Sequence, residues 1–261
     1  MEQKIIFFDI DGTILSPRDH TISDSTKAAI RRTKERGHLT FVNTGRTFSE
    51  IDDEIKSVGF DGYVCGCGTC IYHDSSMIFH TKLDRNLRSR IIEDLERFEI
   101  DAVMEGNHAI YFGRQIRNPL IEDVYNMYKG LGFNILTWDA PDMTFDKFCI
   151  WMDSKSDIQA FCDIYRDRFD FISREDIFIE VVPKGYSKAT GIEYLLSYLK
   201  LPHENTYAFG DSANDFTMLN YVKHSIGMGN SEDEIKKIVT YITKDVDEGG
   251  IAHALQYFEI I

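Results

Sequence analysis

Residues 5–16 read IIFFDIDGTILS: four apolar residues run into Asp9, one position is skipped, and Asp11 stands before a glycine and a threonine. A short apolar run closed by a turn signal reads as a buried strand, the kind found in parallel sheets. Two carboxylates one residue apart at the end of such a strand repel each other, and burying either one unpaired is costly. Something positive must compensate them.

Outward from that strand the chain alternates. SDSTKAAIRRTKERG reads as a helix with a serine or aspartate cap and Gly37 as its stop. LTFVNT follows as a strand, then TFSEIDDEIKSVG as a helix over 47–59, with Phe48, Ile51, Ile55 and Val58 on one face. Strand and helix in alternation imply a parallel sheet. From about Leu83 the texture changes. LRSRIIEDLERF reads as a helix, DAVME and AIYFG as short strands, PLIEDVYNMYKGLG as a helix, DKFCIWMD as a strand, DIQAFCDIYRDRF as a helix and DIFIEVV as a strand. After Pro183 the first rhythm resumes with helix SKATGIEYLLSYLK, strand TYAFGD, helix ANDFTMLNYV, strand HSIGMG, helix SEDEIKKIV, strand TYIT and helix GGIAHALQYF. The expected fold is α/β: a Rossmann-like doubly wound parallel sheet core built from 1–82 and 185–261, with an inserted α+β cap domain at 83–184.

Bulk composition narrows the function. A hydrophobic content of 43% in 261 residues supports a real core. A net charge of −14, with no concentrated basic run, argues against nucleic acid or an anionic membrane as partner. No stretch reaches roughly 18 apolar residues and Met1 to Leu15 shows no basic leader, so a cytoplasmic protein is expected. Five cysteines fit reduced thiols. Cys65, Cys67 and Cys70 in YVCGCGTC read as a small-residue turn, because a fourth ligand for a closed metal site is not evident nearby. Cys162 and Arg168 have the C-x5-R spacing of cysteine phosphatases, but no glycine lies between them to bend a phosphate loop.

Ligands in open parallel sheets bind beyond the carboxyl ends of the strands. Three expected strands end in polar clusters: Asp9 and Asp11; Thr44, Gly45 and Arg46; and Asp211 with Ser212, Asn214 and Asp215. Singly, each reads equally as a turn, a loop or a helix cap. Their coincidence at three strand ends points to one crevice. Asp9, Asp11 and Asp211 offer hard oxygen ligands, so the compensating charge is most simply a divalent cation, and few protein ligands suit Mg2+ better than Ca2+. Lys188 opens a helix, where its charge opposes the dipole, so it should gain elsewhere, by screening Asp9 and holding a phosphoryl group. A solvated surface lysine is the alternative.

DIDGT, FVNTGR, KGYSKATGIEYLL and FGDSANDFTML together resemble the four motifs of the haloacid dehalogenase superfamily, in order and across essentially the whole chain. The insertion between the second and third is similar to the cap of its Cof-type sugar phosphatases, which carry a C2 (type IIB) cap. The resemblance implies a Mg2+-dependent phosphatase acting on a small phosphate ester, as a monomer or weak dimer. Asp9 would be the nucleophile forming an aspartyl phosphate, and Asp11 the general acid and base that also offers its backbone carbonyl to the metal. Thr44 and loop amides would bind the phosphoryl oxygens with Lys188, and Gly45 and Arg46 would adjoin the substrate. Asp211 would be the second carboxylate on the metal, with Asn214 and Asp215 supporting it and Asn214 orienting Lys188. One departure is Cys67-Gly68, where many Cof-type chains carry Asn-Gly. Aspartate at position 11 favours hydrolysis over a stored aspartyl phosphate, since an acid-base speeds attack by water. Rival readings are a phosphomutase of the same superfamily and a receiver-like phosphate-sensing module.

Overall fold

A computed structural model describes residues 2–151, 157–174 and 177–261. Met152 and Asp153, expected to end the strand DKFCIWMD, and Asp176, expected to open DIFIEVV, lie outside the described residues. The chain forms two compact units, Met1–Gly45 with Asp53–Phe79 and Tyr186–Ile261, and Arg46–Asp52 with His80–Gly185. Among the described residues no helix is long and apolar enough to cross a membrane.

The first unit opens with β1 (Ile5–Phe8), α1 (Asp24–Glu35), β2 (Leu39–Asn43), α2 (Asp53–Ser57), β3 (Gly62–Cys65), β4 (Cys70–His73) and β5 (Ser76–His80). Ser23 caps α1 by accepting from the Thr26 N–H, and Ala29 and Ile30 carry its buried face. The helix expected over 47–59 is broken. Phe48–Glu50 is a single 3-10 turn, Ile51 is extended (φ −84°, ψ 107°), and α2 restarts at Asp53. The periodicity is real but serves two short pieces: a capping box between Thr47 and the Glu50 carboxylate starts the first, and extended Ile51 ends it.

The second unit contains α3 (Arg85–Arg97), β6 (Ala102–Glu105), β7 (Ile110–Phe112), α4 (Pro119–Gly130), β8 (Ile135–Thr137), β9 (Lys147–Trp151), α5 (Ile158–Tyr165), β10 (Phe169–Arg174) and β11 (Phe178–Pro183). Its sheet runs β10-β11-β9-β6-β7-β8, and of its adjacent pairs only β7 and β8 are parallel. Ile91, Leu95, Phe161 and Tyr165 of α3 and α5 pack on one face of this sheet with Met104, Phe148 and Val181. Ile121 of α4 packs on the other with Val103, Cys149 and Trp151. Strand alternation puts those two sets on opposite faces. The helix expected over 157–169 stops at Tyr165, and buried Phe169 instead begins β10, a strand the sequence reading lacks along with β8.

The chain then returns to the first unit with α6 (Lys188–Leu199), β12 (Thr206–Gly210), α7 (Phe216–Tyr221), β13 (His224–Gly227), α8 (Asp233–Ile238), β14 (Tyr241–Ile242) and α9 (Gly250–Tyr257). Its sheet order is β14-β13-β12-β1-β2-β3-β4-β5. β1 pairs in parallel with β2 on one side and β12 on the other, with Phe8 opposite Val42 and Phe209. The chain runs outward from β1 in both directions, so this is a doubly wound α/β sheet with its switch point between β1 and β12. All four β1 residues are fully buried. Phe7 joins a core with Ile192, Leu195 and Met218, while Phe8 stacks on Phe209 with ring centroids 5.1 Å apart. β4 and β5 extend the far edge, β4 antiparallel to β3. Sequence alternation did not mark this hairpin, because SMIFH is only five residues long, carries an apolar run of just three, Met77 to Phe79, and is not buried.

Candidate active site

Asp9, Thr44 and Asp211 directly follow β1, β2 and β12, three adjacent parallel strands, so all three lie at the carboxyl end of the sheet. The Asp9 N–H continues the ladder by donating to the Phe209 carbonyl at 3.1 Å. Beyond it the chain turns sharply: Ile14 and Leu15 donate back to the Ile10 carbonyl, and Gly12 sits at φ +75°. A Cβ on Gly12 would lie 2.4 Å from Asp211 Oδ2, so glycine is required there both for backbone shape and for close approach.

Lys188 is 1% exposed, which overturns the surface-lysine alternative. Ser187 caps α6 with a capping box to Thr190, placing Lys188 at the first helical position. Its Nζ donates to Asp9 Oδ1 and Asp215 Oδ1, each at 2.6 Å. Burial works against the ammonium, but Asp215 and Asp9 outweigh it and hold its pKa above the ordinary lysine range. The dipole penalty at a helix start is thus offset by two buried ion pairs.

The contact expected from Asn214 falls to Asp215 instead. Asn214 is half-buried, and its Oδ1 accepts from the Ser212 hydroxyl at 2.9 Å. Asp215 is fully buried, and its second oxygen accepts from the N–H groups of Asp211 (2.9 Å) and Ser212 (3.2 Å). Ser212, not Asp211, is the N-cap here, and ANDFTMLNYV divides into a 3-10 turn, Ala213–Asp215, and α7.

One ammonium does not balance this many acids. Burial and Asp215 push the Asp9 carboxyl well above its ordinary range against the pull of Lys188. Burial and Asp215 likewise push Asp211 up to about 7. Among the described residues, Asp9, Asp211 and Asp215 are the one group of three or more His, Cys, Asp or Glu whose ligand atoms lie within 4.8 Å of one another. Both Asp215 oxygens are engaged, which leaves the carboxylates of Asp9 and Asp211 to face a cation. Hard oxygen donors with excess negative charge fit a divalent ion. Asp11 is exposed, unlike its neighbours, and its carboxylate stands outside that group. Cys65, Cys67 and Cys70 also stand outside it.

Thr44 is buried between its N–H, donating to the Val64 carbonyl at 2.9 Å, and its carbonyl, accepting from Cys67 N–H at 3.1 Å. Cys67 itself occupies the left-handed region at φ 55°, a conformation asparagine tolerates better than most residues. Gly45 closes the first unit's loop, and Arg46 opens the segment that belongs to the second unit, its Nη1 3.4 Å from the Glu50 carbonyl and 3.9 Å from Asp52 Oδ2.

Three supporting residues escaped the sequence reading. Thr13 donates its hydroxyl to Asp211 Oδ1 at 2.9 Å, Asn43 donates to the Lys188 carbonyl at 3.0 Å, and Asn230 donates to the Gly12 carbonyl at 2.8 Å. Thr13 and Asn43 stand inside the motifs, where a polar residue in a buried run was a usable signal. Asn230 offered none.

The family described as haloacid dehalogenase-like hydrolase matches residues 6–255. YkrA of Bacillus subtilis (strain 168) is 30% identical over 98% of this chain and 98% of its own length. The 5-amino-6-(5-phospho-D-ribitylamino)uracil phosphatase YitU of the same organism is 27% identical over the full length of both. Among solved structures, the HAD subclass IIB sugar phosphatase BT4131 shares the fold with a TM-score of 0.82 at 23% identity, over 99% of this chain and 100% of that one.

Proposed function

The chain belongs to the haloacid dehalogenase-like hydrolases, and from that premise we propose that it is a Mg2+-dependent phosphatase of small phosphorylated metabolites, sugar phosphates first. The observation that carries the reading is the buried Asp9–Lys188–Asp215 triad with Asp211 beside it at the sheet's switch point. Asp9, Asp211 and the backbone carbonyl of Asp11 would hold Mg2+, which supplies positive charge that lets a phosphate dianion approach a carboxylate.

In this reading the Asp9 carboxylate attacks phosphorus, forming an aspartyl phosphate as the bond to the ester oxygen breaks. Asp11 gives its proton to the departing alkoxide, then takes one from the water that attacks the phosphoryl group. Inorganic phosphate leaves and Asp9 is restored. The exposure of Asp11 supports this role, since an acid-base must meet both leaving group and water. Lys188, held between two carboxylates, keeps a fixed positive charge beside the nucleophile. Thr44 and the amides after it bind phosphoryl oxygens, and Asp215 orients Lys188 and the Asp211 backbone. Gly45, Arg46 and Asn214 adjoin the substrate. The unit inserted between β5 and α6 discriminates among leaving groups, as a lid. A relative named for a phosphorylated ribityl compound supports polyol and sugar monoesters. The net charge of −14 suits a cytoplasmic monomer or weak dimer acting on small esters rather than on nucleic acid.

The test is phosphate release from a panel of sugar and polyol phosphates, with Mg2+ and with EDTA. Net release that needs Mg2+ and is lost in Asp9→Asn is expected. Isomer interconversion without release would make the protein a phosphomutase, and p-nitrophenyl phosphate hydrolysis unchanged by Asp9→Asn would remove Asp9 from its role.

A further inference from the structure

We propose that Glu50 is a positioning residue for the phosphate-binding loop: it ties the turn at 47–50 to α4 within the second unit and so, across Gly45, restrains the backbone that leaves Thr44. The proposal deepens the phosphatase reading and rests on it for the role of Thr44.

Thr44 is fixed within the first unit by its two backbone hydrogen bonds to Val64 and Cys67. Two residues later the chain belongs to the second unit, which takes in Arg46–Asp52. Only Gly45 separates the two attachments, so displacement of one end is carried to the other along the backbone. Within the segment Glu50 is 4% exposed. Its Oε2 accepts from the Thr47 N–H at 2.7 Å and the Thr47 hydroxyl at 2.8 Å, and its Oε1 accepts from the Tyr128 hydroxyl at 2.8 Å. Ser49 adds a bond from its hydroxyl to the Gly106 carbonyl at 2.8 Å.

A three-residue turn does not need a buried carboxylate. A serine or asparagine cap in solvent would close it without the desolvation that a buried charge incurs. Glu50 does what such a cap cannot: one oxygen shapes the turn while the other reaches α4. Tyr128 is suited to the partnership, because burial, then the charges of Glu50 and Glu105, push its phenol well above its ordinary range and keep it a donor. Its ring is held independently, edge-on to Phe133 at 5.4 Å and Phe112 at 6.3 Å, so the hydroxyl can be removed without removing the packing.

The experiment is Tyr128→Phe, with Glu50→Gln as a second variant, both checked for fold by circular dichroism. Hydrogen exchange is read at the amides of 44–50 alongside KM and the inhibition constant of inorganic phosphate. Removing one hydrogen bond to a buried carboxylate is expected to speed exchange at 45–50 about tenfold or more. KM and the phosphate inhibition constant rise severalfold, with kcat changed less, because the bound phosphoryl group is misplaced rather than the nucleophile. Exchange accelerated only around Tyr128 in α4, with KM and phosphate inhibition unchanged, would reduce Glu50 to a structural cap and overturn the proposal. Faster exchange at 45–50 in a protein that releases no phosphate from any ester would instead uphold the anchor and overturn the phosphatase reading.

Discussion

Lys188 shows how much one residue does here. It is fully enclosed, its two partners are buried carboxylates, and among the described residues no other ammonium is bonded to them. Lys188→Met would leave Asp9 and Asp215 as neighbouring buried acids, and losing one side of a buried pair costs about 3–5 kcal/mol. A fall of that size in urea denaturation is expected, together with loss of turnover. Asp9→Asn should differ in kind, with turnover reduced about a thousandfold or more and the fold retained, since the amide fills the same space. Gly12→Ala would force an alanine to φ +75° with its methyl against the Asp211 carboxylate. The backbone alone costs about 1–2 kcal/mol, and phosphatase assays with varied Mg2+ should reach half-maximal activity only at a higher Mg2+ concentration as Asp211 is displaced.

At the scale of elements, α6 and β3 are pressed together at Gly191, where a Cβ would lie 2.3 Å from Val64 Cγ1. Gly191→Ala should gain up to about 1 kcal/mol of helix propensity and lose about 1–3 kcal/mol to overpacking. The expected net effect is destabilisation, measurable by chemical denaturation, and a stabilised variant would contradict the packing. In the second unit, Lys147 joins β9 to Glu105 of β6 at 2.6 Å and Glu180 of β11 at 2.7 Å. Burial and then Glu50 push Glu105 up to about 7. Between its ordinary value near 4.5 and about 7 the folded protein binds a proton that the unfolded chain has released. The unfolded state therefore holds fewer protons, and stability falls as pH rises through that window. Melting temperatures of Glu105→Gln and the parent chain between pH 5 and 8 should diverge accordingly, the variant showing the flatter profile.

For the whole molecule, the proposed reading makes a divalent cation at the carboxyl ends of the central strands a stabilising ligand as well as a cofactor. At a hundred times its dissociation constant, Mg2+ should add about 2.7 kcal/mol, or several degrees in melting temperature. Calorimetry should find that shift in the parent chain and lose it in Asp211→Asn. Both tryptophans, Trp138 and Trp151, lie in the second unit, so fluorescence follows that unit while circular dichroism follows both.

Much of the core was legible in the sequence. Apolar runs ending in Asp9, Thr44 and Asp211 mark buried parallel strands, and a polar cluster after each marks the end where ligands gather. Helix interruptions were not legible, because Phe48, Ile51, Ile55 and Val58 keep helical spacing even though Glu50 turns back to cap Thr47. Nor were β5 and β8, edge strands too short and too exposed for their two or three apolar residues to stand out.

By itself, the order of residues determined which strands are buried, where carboxylates, threonine and lysine stand along the chain, and that the acids outnumber the bases. Only the tertiary structure decided that Asp215 rather than Asn214 grips Lys188, that Thr13 steadies Asp211, and that 46–52 is tied to the second unit. Local patterns follow from backbone geometry within a few residues. A hydrogen bond between positions 27 or 198 residues apart depends on which strands become neighbours, and that is settled only when the sheet is assembled.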